Sequence, residues 1–191
     1  NASYSTVLDP DKFIKEIKRP ANEIRNNNDA IIYEICVRDF TSIVCSGTKT
    51  HGLFISLCEE DTAFEGIPTG LSYIKDLGVT HIQLLPVMDF GSVDEIRKDK
   101  YNWGYDPSQY NVTEGIYCSD VYDPYKRVNE LREMVNKMHE NDIRVNLDIV
   151  FNHVYRASEF SFEILLPYFA FRYADDETLS NGSFCGNEIR S

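Results

Sequence analysis

The chain has 191 residues, of which 42% are hydrophobic and 26% charged, with a formal net charge of −12. This length suffices for one domain with a sizeable core, or for part of a larger one. Acidic and basic residues are interspersed without a basic stripe, which argues against a nucleic-acid partner. No apolar run approaches the roughly 18 residues that span a bilayer, so we predict a soluble protein without a membrane partner.

The N-terminal region, residues 1–29, is polar and rich in turn-forming residues. A short helical patch is predicted near Pro10 to Ile17. We interpret the whole region as a lead-in or linker. The sequence begins at Asn1 and has no apolar leader, so we expect a mature or excised polypeptide, either secreted or cytoplasmic.

Two strands and a helix are predicted next. The segment Ala30 to Val37 is apolar and β-branched, which is typical of a buried strand. A helix is predicted to begin after Thr69 as its N-cap and to stop at Gly78. A second strand, Thr80 to Leu85, follows directly. The apolar side chains at helical spacing are Leu71, Ile74 and Leu77.

The third unit has the clearest boundaries. Asp123 is the predicted N-cap of a long helix with Pro124 at its first position, and the strand Arg144 to Phe151 follows after a short turn. The helix's predicted apolar face consists of Val128, Leu131, Val135 and Met138.

Together these units read β-α-β-α-β, with short turns before the strands and long loops after them. Alternation of this kind predicts a parallel sheet. Long loops on one side only are typical of the functional face of a (β/α)8 barrel. We therefore predict an α/β fold with the architecture of a (β/α) barrel.

The third strand indicates where a site would lie. Its side chains alternate, so Val145, Leu147, Ile149 and Phe151 are expected to face the packing helices. Asp148, Asn152 and His153 are then expected to gather at the carboxyl end. Polar groups there are typical of site residues, although a structural hydrogen-bonding network is the alternative.

Two motifs give the chain a family resemblance. The stretch DIVFNH (Asp148 to His153) resembles the first short signature of the α-amylase superfamily of glycoside hydrolases. The aromatic, turn-rich stretch YNWGYDP (Tyr101 to Pro107) is similar to the hallmark of the type I pullulanases, the debranching branch of that superfamily. YEICVRDF (Tyr33 to Phe40) and NGSFCGNE (Asn181 to Glu188) agree in order and spacing, although Cys36 stands where relatives commonly have His or Gln.

The resemblance implies that residues 30–191 form strands 1 to 3 of a partial (β/α)8 (TIM) barrel with the intervening helices. It also implies retaining hydrolysis of α-1,6-glucosidic bonds in branched glucans such as pullulan and amylopectin. By that resemblance, Tyr105 stacks on the glucose of the −1 subsite. Asp106 can accept hydrogen bonds from sugar hydroxyls. Trp103 either contacts substrate or packs beneath the loop to hold it.

The strand-end residues receive roles from the same resemblance. His153 is expected to hydrogen-bond the −1 glucose, and Asp148 to hold an arginine of the site. Asn152 matches a position that ligates calcium in some amylases, but a structural hydrogen-bonding role is expected here. We predict no cofactor and no metal; a calcium ion would rest on the resemblance alone.

The catalytic acids of the superfamily have no counterpart in the chain. Retaining hydrolysis needs two carboxylates about 5 Å apart, and the family's nucleophile and acid/base are expected beyond Ser191. Glu163, Glu177 and Glu188 are predicted to be solvated surface acids. We therefore expect the 191-residue chain alone to be inactive, and to self-associate through exposed sheet edges.

Three alternatives remain. The chain could belong to an isoamylase, a branching enzyme or another α-amylase-superfamily enzyme, although those relatives carry different residues in the YNWGYDP loop. It could also be a non-catalytic glucan-binding or interaction module, or a structural protein without a ligand.

The five cysteines have no zinc-like spacing and are expected to be reduced or incidental thiols: Cys36, Cys45, Cys58, Cys118 and Cys185.

Overall fold

A computed structural model of the chain describes residues 5–190. The strands are β1 (Ile32–Ile35), β2 (Ala63–Phe64), β3 (Ile67–Pro68), β4 (His81–Leu84) and β5 (Arg144–Leu147). The α-helices are α1 (Val37–Ser42), α2 (Gly70–Leu77), α3 (Pro124–Glu140) and α4 (Ser161–Leu165). Short 3₁₀ helices cover Pro10–Lys12, Asn27–Asp29, Val44–Ser46, Phe54–Cys58, Gly115–Tyr117 and Ala157–Glu159.

The main sheet contains three parallel strands in the order β1-β4-β5. Ile32 of β1 lies opposite His81 of β4, which lies opposite Arg144 of β5. Helix α2 precedes β4 and helix α3 precedes β5, each separated from its strand by three residues. The predicted β-α-β-α-β order and the parallel pairing are thus confirmed. The strands form an open sheet, with β1 and β5 at its two edges within the described residues.

The chain divides into two compact units. The first unit runs up to Leu85 and includes Gly115–Leu147, and the second unit contains Pro86–Glu114 and the described residues from Asp148 onward. In the first unit, side chains of the main sheet, α2 and α3 are fully buried: Leu71, Ile74, Ile82, Leu84, Met134 and Met138. In the second unit the buried cluster is Val154, Ala157, Phe160 and Phe171.

The first strand is shorter than predicted. It ends at Ile35, and helix α1 begins at Val37, so Cys36 lies between two elements and not on the strand. The carbonyl of Cys36 accepts the N–H of Phe40 at 3.1 Å, which starts the helical hydrogen-bond pattern. Cys36 itself is buried.

The helix ends agree with the sequence predictions. Thr69 precedes α2, and Gly78 ends it in the left-handed conformation with φ 70°. Asp123 caps α3 by accepting the N–H groups of Tyr125 and Lys126, with Pro124 at the first position.

The predicted apolar faces need correction. In α3 the fully enclosed stripe is Glu130, Met134 and Met138, spaced four residues apart, whereas Val128, Leu131 and Val135 are half-buried. Glu130 is tolerated there because its carboxylate accepts the N–H of Ser119 at 2.9 Å and the Ser119 hydroxyl. Leu77, at the end of α2, is 44% exposed.

The strand predicted over Arg144 to Phe151 ends at Leu147, and its apolar side chains are not all covered. Leu147 is 42% exposed and Phe151 is 59% exposed. For Leu147 the reason is that β5 pairs only with β4 among the described residues, so no further strand lies along its outer edge.

The lead-in also differs from its prediction. The helical patch near Pro10 to Ile17 is limited to the 3₁₀ helix Pro10–Lys12, and the chain then continues without regular structure to Asn26. Residues 1–4 of this region lie outside the described residues. Across residues 5–190, no helix combines the length and the apolar character that a membrane crossing requires.

Candidate functional site

The YNWGYDP loop presents its aromatic rings to solvent in the second unit. Trp103 is 56% exposed and Tyr101 is 54% exposed, with the two rings edge to face at 6.3 Å between centroids. The indole N–H of Trp103 donates to the hydroxyl of Tyr101. Packing beneath the loop was one of the two roles predicted for Trp103, and the exposed position of the side chain does not agree with it.

The loop lines an open cavity of about 490 Å³. Ligand sites commonly have volumes of about 300–1,000 Å³, with apolar walls and a few polar groups. The apolar faces of the rings, next to carboxylate and amide groups, suit a ligand that has both C–H faces and hydroxyls. Its lining residues are Tyr101, Asn102, Trp103, Tyr105 and Asp106.

Tyr105 is held by a residue that follows β5. Its hydroxyl donates to Asp148 Oδ2 at 2.7 Å, while its ring remains 38% exposed. A hydrogen bond to a carboxylate is stronger than one between neutral groups, so it restricts the direction of the ring. Of the predicted site residues, these two are brought together directly.

Both oxygens of the Asp106 carboxylate accept hydrogen bonds from other side chains of the protein. Oδ1 accepts from Asn102 Nδ2 at 2.7 Å, and Oδ2 accepts from the Ser92 hydroxyl at 2.9 Å. The backbone carbonyl of Asp106 accepts the N–H of Gly91 at 2.8 Å. Asp106 therefore anchors the loop, and only its remaining lone pairs are available to a ligand.

Asn102 and Gly104 shape the turn between the rings. Asn102 Oδ1 accepts the N–H of Gly104 at 2.8 Å. Gly104 has φ +92°, and a Cβ there would lie 2.7 Å from the carbonyl oxygen of Pro86 and 3.0 Å from a ring carbon of Phe90. Only glycine satisfies both the backbone conformation and the space.

At the end of the DIVFNH stretch, Asn152 and His153 contact each other. His153 is buried, and its Nδ1–H donates to Asn152 Oδ1 at 3.0 Å. The carbonyl of His153 accepts the Tyr110 hydroxyl at 2.8 Å. Burial raises the pKa of Tyr110 to about 12, so this hydroxyl remains a donor throughout the neutral range.

Three residues of this region were not predicted from the sequence as site residues: Tyr101, Asn102 and Ser92. The signal for Tyr101 was its place in an aromatic loop. The signal for Asn102 was its place two residues before a glycine, where an Asx side chain commonly bonds the backbone. Nothing in the local sequence marked Ser92, because its partner Asp106 is fourteen residues away.

Two of the three acids predicted to be solvated are instead bonded within the protein. Glu163 accepts the Tyr168 N–H at 2.9 Å and the Tyr173 hydroxyl at 2.6 Å. Glu188 accepts from Ser180 and Gly182 and pairs with Arg172 at 3.2 Å. Glu177 is exposed, as predicted.

A group of three carboxylates in the second unit could supply oxygen ligands to a cation. Ligand atoms of Asp89, Glu95 and Glu114 lie within 4.8 Å of one another, and Glu114 is fully buried. Glu114 Oε2 accepts the N–H of Phe90 at 3.0 Å, so part of its hydrogen-bonding capacity is satisfied within the protein. The expectation of no metal and no cofactor stays a prediction.

Comparison with known proteins places the site in a family. The family described as "Alpha amylase, catalytic domain" matches residues 40–165. The chain is 42% identical to a pullulanase of Bacillus subtilis (strain 168) over 193 residues, covering all of this chain and 27% of that protein. The chain thus spans about a quarter of the length of that relative.

Solved structures agree with this match. A pullulanase of Anoxybacillus sp. LM18-11 complexed with maltotriose aligns with a TM-score of 0.94 and 44% identity, over 99% of this chain and 27% of that one. A pullulanase of Paenibacillus barengoltzii in complex with maltohexaose and α-cyclodextrin aligns with a TM-score of 0.87 and 46% identity, over 92% and 28%. The predicted resemblance to pullulanases and the predicted partial (β/α)8 fold are confirmed.

Proposed function

The chain belongs to the α-amylase catalytic-domain family, and we propose that it carries glucan-binding elements of a pullulanase-type debranching glycoside hydrolase. The reaction would be retaining hydrolysis of α-1,6-glucosidic bonds in pullulan or amylopectin-like glucans. The observation that carries the proposal is the YNWGYDP loop, whose exposed rings line an open cavity while Tyr105 is fixed by Asp148.

The ring of Tyr105 is the proposed stacking surface for the glucose of the −1 subsite. Sugars present apolar C–H faces that pack on aromatic rings. A ring whose hydroxyl is already bonded to Asp148 loses little freedom on binding, and this preorganisation favours affinity. Trp103, with more than half of its surface exposed, would contact a neighbouring sugar unit.

The remaining site residues would act through hydrogen bonds. Asp106 would accept from sugar hydroxyls with lone pairs not used by Ser92 and Asn102. His153 would form a hydrogen bond with the −1 glucose through Nε2, with its ring oriented by Asn152. Asp148 would support the site by holding Tyr105 and an arginine that the resemblance implies.

The α-glucan class of ligand is supported by the similar structures. The Anoxybacillus enzyme was solved with maltotriose and the Paenibacillus enzyme with maltohexaose and α-cyclodextrin. Their identities of 44% and 46% to this chain make a shared ligand class the simplest proposal.

We further propose that the 191-residue chain is inactive by itself. Retaining hydrolysis requires a nucleophile and an acid/base about 5 Å apart. The carboxylates of the site region bind other parts of the protein: Asp106 binds Asn102 and Ser92, and Asp148 binds Tyr105.

The test compares the 191-residue chain with the polypeptide encoded by the complete open reading frame that contains it. Both are assayed for reducing-sugar release from pullulan, with detection of maltotriose, and for release from glycogen. We expect maltotriose from the longer polypeptide only. Activity of the short chain alone would overturn the inactivity proposal. Hydrolysis of glycogen without hydrolysis of pullulan would instead favour an isoamylase.

A binding measurement distinguishes the non-catalytic alternative. Calorimetric titration of each polypeptide with maltohexaose reports affinity without turnover. Binding by a longer polypeptide that hydrolyses neither substrate would establish a glucan-binding module. Absence of both binding and hydrolysis in the longer polypeptide would overturn the proposed function.

A further inference from the structure

A polar stripe runs along helix α3 in the first unit. Its members are separated by four, three, four and three residues, so they lie on one face of the helix. This face differs from the buried stripe of Glu130, Met134 and Met138. The polar stripe consists of Tyr125, Asn129, Arg132, Asn136 and His139.

The two asparagines of the stripe each bind a backbone segment with both ends of the amide. Asn129 accepts the N–H of Ile14 at 2.9 Å and donates to the carbonyl of Lys12 at 3.1 Å. Asn136 accepts the N–H of Lys18 at 2.8 Å and donates to the carbonyl of Glu16 at 3.1 Å. In each case one asparagine side chain binds the carbonyl of a residue i and the N–H of residue i+2 in the bound segment.

The repeat of these contacts fits the two geometries. Asn136 lies seven positions after Asn129 in the helix, a rise of about 10.5 Å. Their backbone partners are four residues apart, and four residues of extended chain reach at most about 14 Å, so the distance is within reach without full extension. A non-helical segment running in the same direction as α3 therefore presents its polar groups to both asparagines in turn.

Other side chains complete the attachment. Tyr125 accepts the N–H of Asp9 at 2.8 Å, Arg132 donates to the carbonyl of Ile14, and His139 Nδ1–H donates to the carbonyl of Lys18 at 2.5 Å. Just after α3, Asp142 accepts the N–H groups of Ala21 and Asn22 at 2.7 and 3.0 Å. We call residues 9–22 the strap.

The side chains in the middle of the strap contribute little to this attachment. Lys15, Glu16, Ile17 and Arg19 are exposed. Lys18 is exposed apart from its ion pair with Glu140.

The two ends of the strap also use side chains. At the start, Phe13 and Ile14 are half-buried, and the ring of Phe13 contacts Tyr125 at 5.3 Å between centroids. At the end, the Asn22 amide donates to the carbonyl of Asp142 at 3.1 Å and accepts from Arg144 at 2.7 Å. Between these ends, the hydrogen bonds bind the backbone of the strap.

We propose that α3 carries a binding surface for extended polypeptide, which recognises main-chain groups through Asn129 and Asn136 and is occupied in cis by the strap. This surface belongs to the first unit and shares no residue with the site of the proposed function. The surface holds the segment that leads into β1. Because it binds main-chain groups, side chains of the strap can change as long as the backbone N–H groups at positions 14 and 18 remain.

The first test is hydrogen exchange on the whole chain with the double variant Asn129→Ala and Asn136→Ala. We expect the amides of Ile14 and Lys18 to exchange at least about tenfold faster, and amides of β4 to be unchanged. Alanine favours helix, so release of the strap would not come from loss of α3. Glu133→Ala, at an exposed position of the same helix, is the matched control and is expected to leave both amides protected.

The second test is a proline scan of the strap, again in the whole chain. Ile14→Pro and Lys18→Pro each remove an N–H that an asparagine accepts, whereas Ile17→Pro leaves both of those N–H groups and the Lys15–Glu16 bond in place. Trypsin cleavage after Lys15 is expected to be about tenfold faster in the first two variants than in Ile17→Pro. Ile14→Ala and Lys18→Ala, which keep the backbone N–H, are expected to cleave like the unmodified chain.

Two results would overturn the proposal. One is unchanged exchange at Ile14 and Lys18 in the double asparagine variant, which would mean that the asparagines do not hold the strap. The other is equal acceleration by Ile14→Ala and Ile14→Pro, which would mean that side-chain packing, and not backbone recognition, holds it.

Discussion

At the residue scale, the contact between Tyr105 and Asp148 is central to the candidate site. The hydroxyl fixes the ring and the exposed face remains available, so the two parts of the side chain have separable roles. A phenylalanine at position 105 keeps the ring and removes the hydroxyl, while an alanine removes both. The two variants therefore test orientation and stacking independently.

We expect Tyr105→Ala to weaken maltohexaose binding by the longer polypeptide by about 2 kcal/mol, since buried Tyr anchors commonly contribute that much. Tyr105→Phe is expected to cost only about 1 kcal/mol, the typical net value of one hydrogen bond. Calorimetric titration gives both values. Equal losses in the two variants would show that the hydroxyl, and not the ring, contributes the affinity.

The cysteines give a second expectation at this scale. All five are free thiols, and Cys185 is exposed. Burial raises the pKa of Cys58 to about 12 and also raises the pKa of Cys36. Because the thiolate is the reactive form, iodoacetamide at about pH 8 should modify Cys185 well before Cys58. Peptide mass spectrometry over time measures the order, and early modification of Cys58 would contradict it.

The sequence predicted the kinds of residues in the site better than their contacts. The rings of the YNWGYDP loop and the polar groups after β5 were identifiable from residue type and position. The partners of Asp106 were not, because one lies four and the other fourteen residues away and neither belongs to a regular element. Such contacts depend on how loops fold back on themselves.

At the element scale, the ends of α2 and α3 were predictable, whereas the ends of β1 and β5 were not. Helix ends carry local signals, as Asp123, Pro124 and Gly78 show. The end of β1 carried no such signal, since the apolar run continues through Cys36 into α1. The burial of α3 was misjudged because a carboxylate, Glu130, lies on the covered face and finds its hydrogen-bond partner, Ser119, in the segment just before the helix.

The turn of the aromatic loop gives an expectation at this scale. Gly104→Ala places a Cβ 2.7 Å from a backbone oxygen at φ +92°, whereas Gly66→Ala meets nothing within 4 Å at φ +82°. We expect Gly66→Ala to lower the free energy of unfolding by about 1 kcal/mol and Gly104→Ala by about 2–4 kcal/mol. Urea denaturation followed by circular dichroism measures both. Equal losses would mean that the loop moves away from Pro86 without strain.

At the scale of the whole molecule, the open sheet is the main consequence of the fold. Residue patterns predicted parallel strands, but they could not predict which apolar side chains stay uncovered, because that depends on which strands flank each edge. Ile32 on β1 and Leu147 on β5 are both about half exposed. Exposed, apolar edge strands are templates for pairing with other chains.

We therefore expect the 191-residue chain to self-associate through these edges. Leu147→Lys introduces a charge on the edge strand β5, which discourages strand pairing, and is expected to shift the chain toward monomer. Leu77→Lys is the matched control, because Leu77 is equally exposed, at 44% against 42%, but lies at the end of helix α2. Sedimentation velocity over a wide range of concentrations measures both variants. If both variants shift the chain toward monomer equally, general surface charge controls association. If neither variant does so, association does not use the β5 edge.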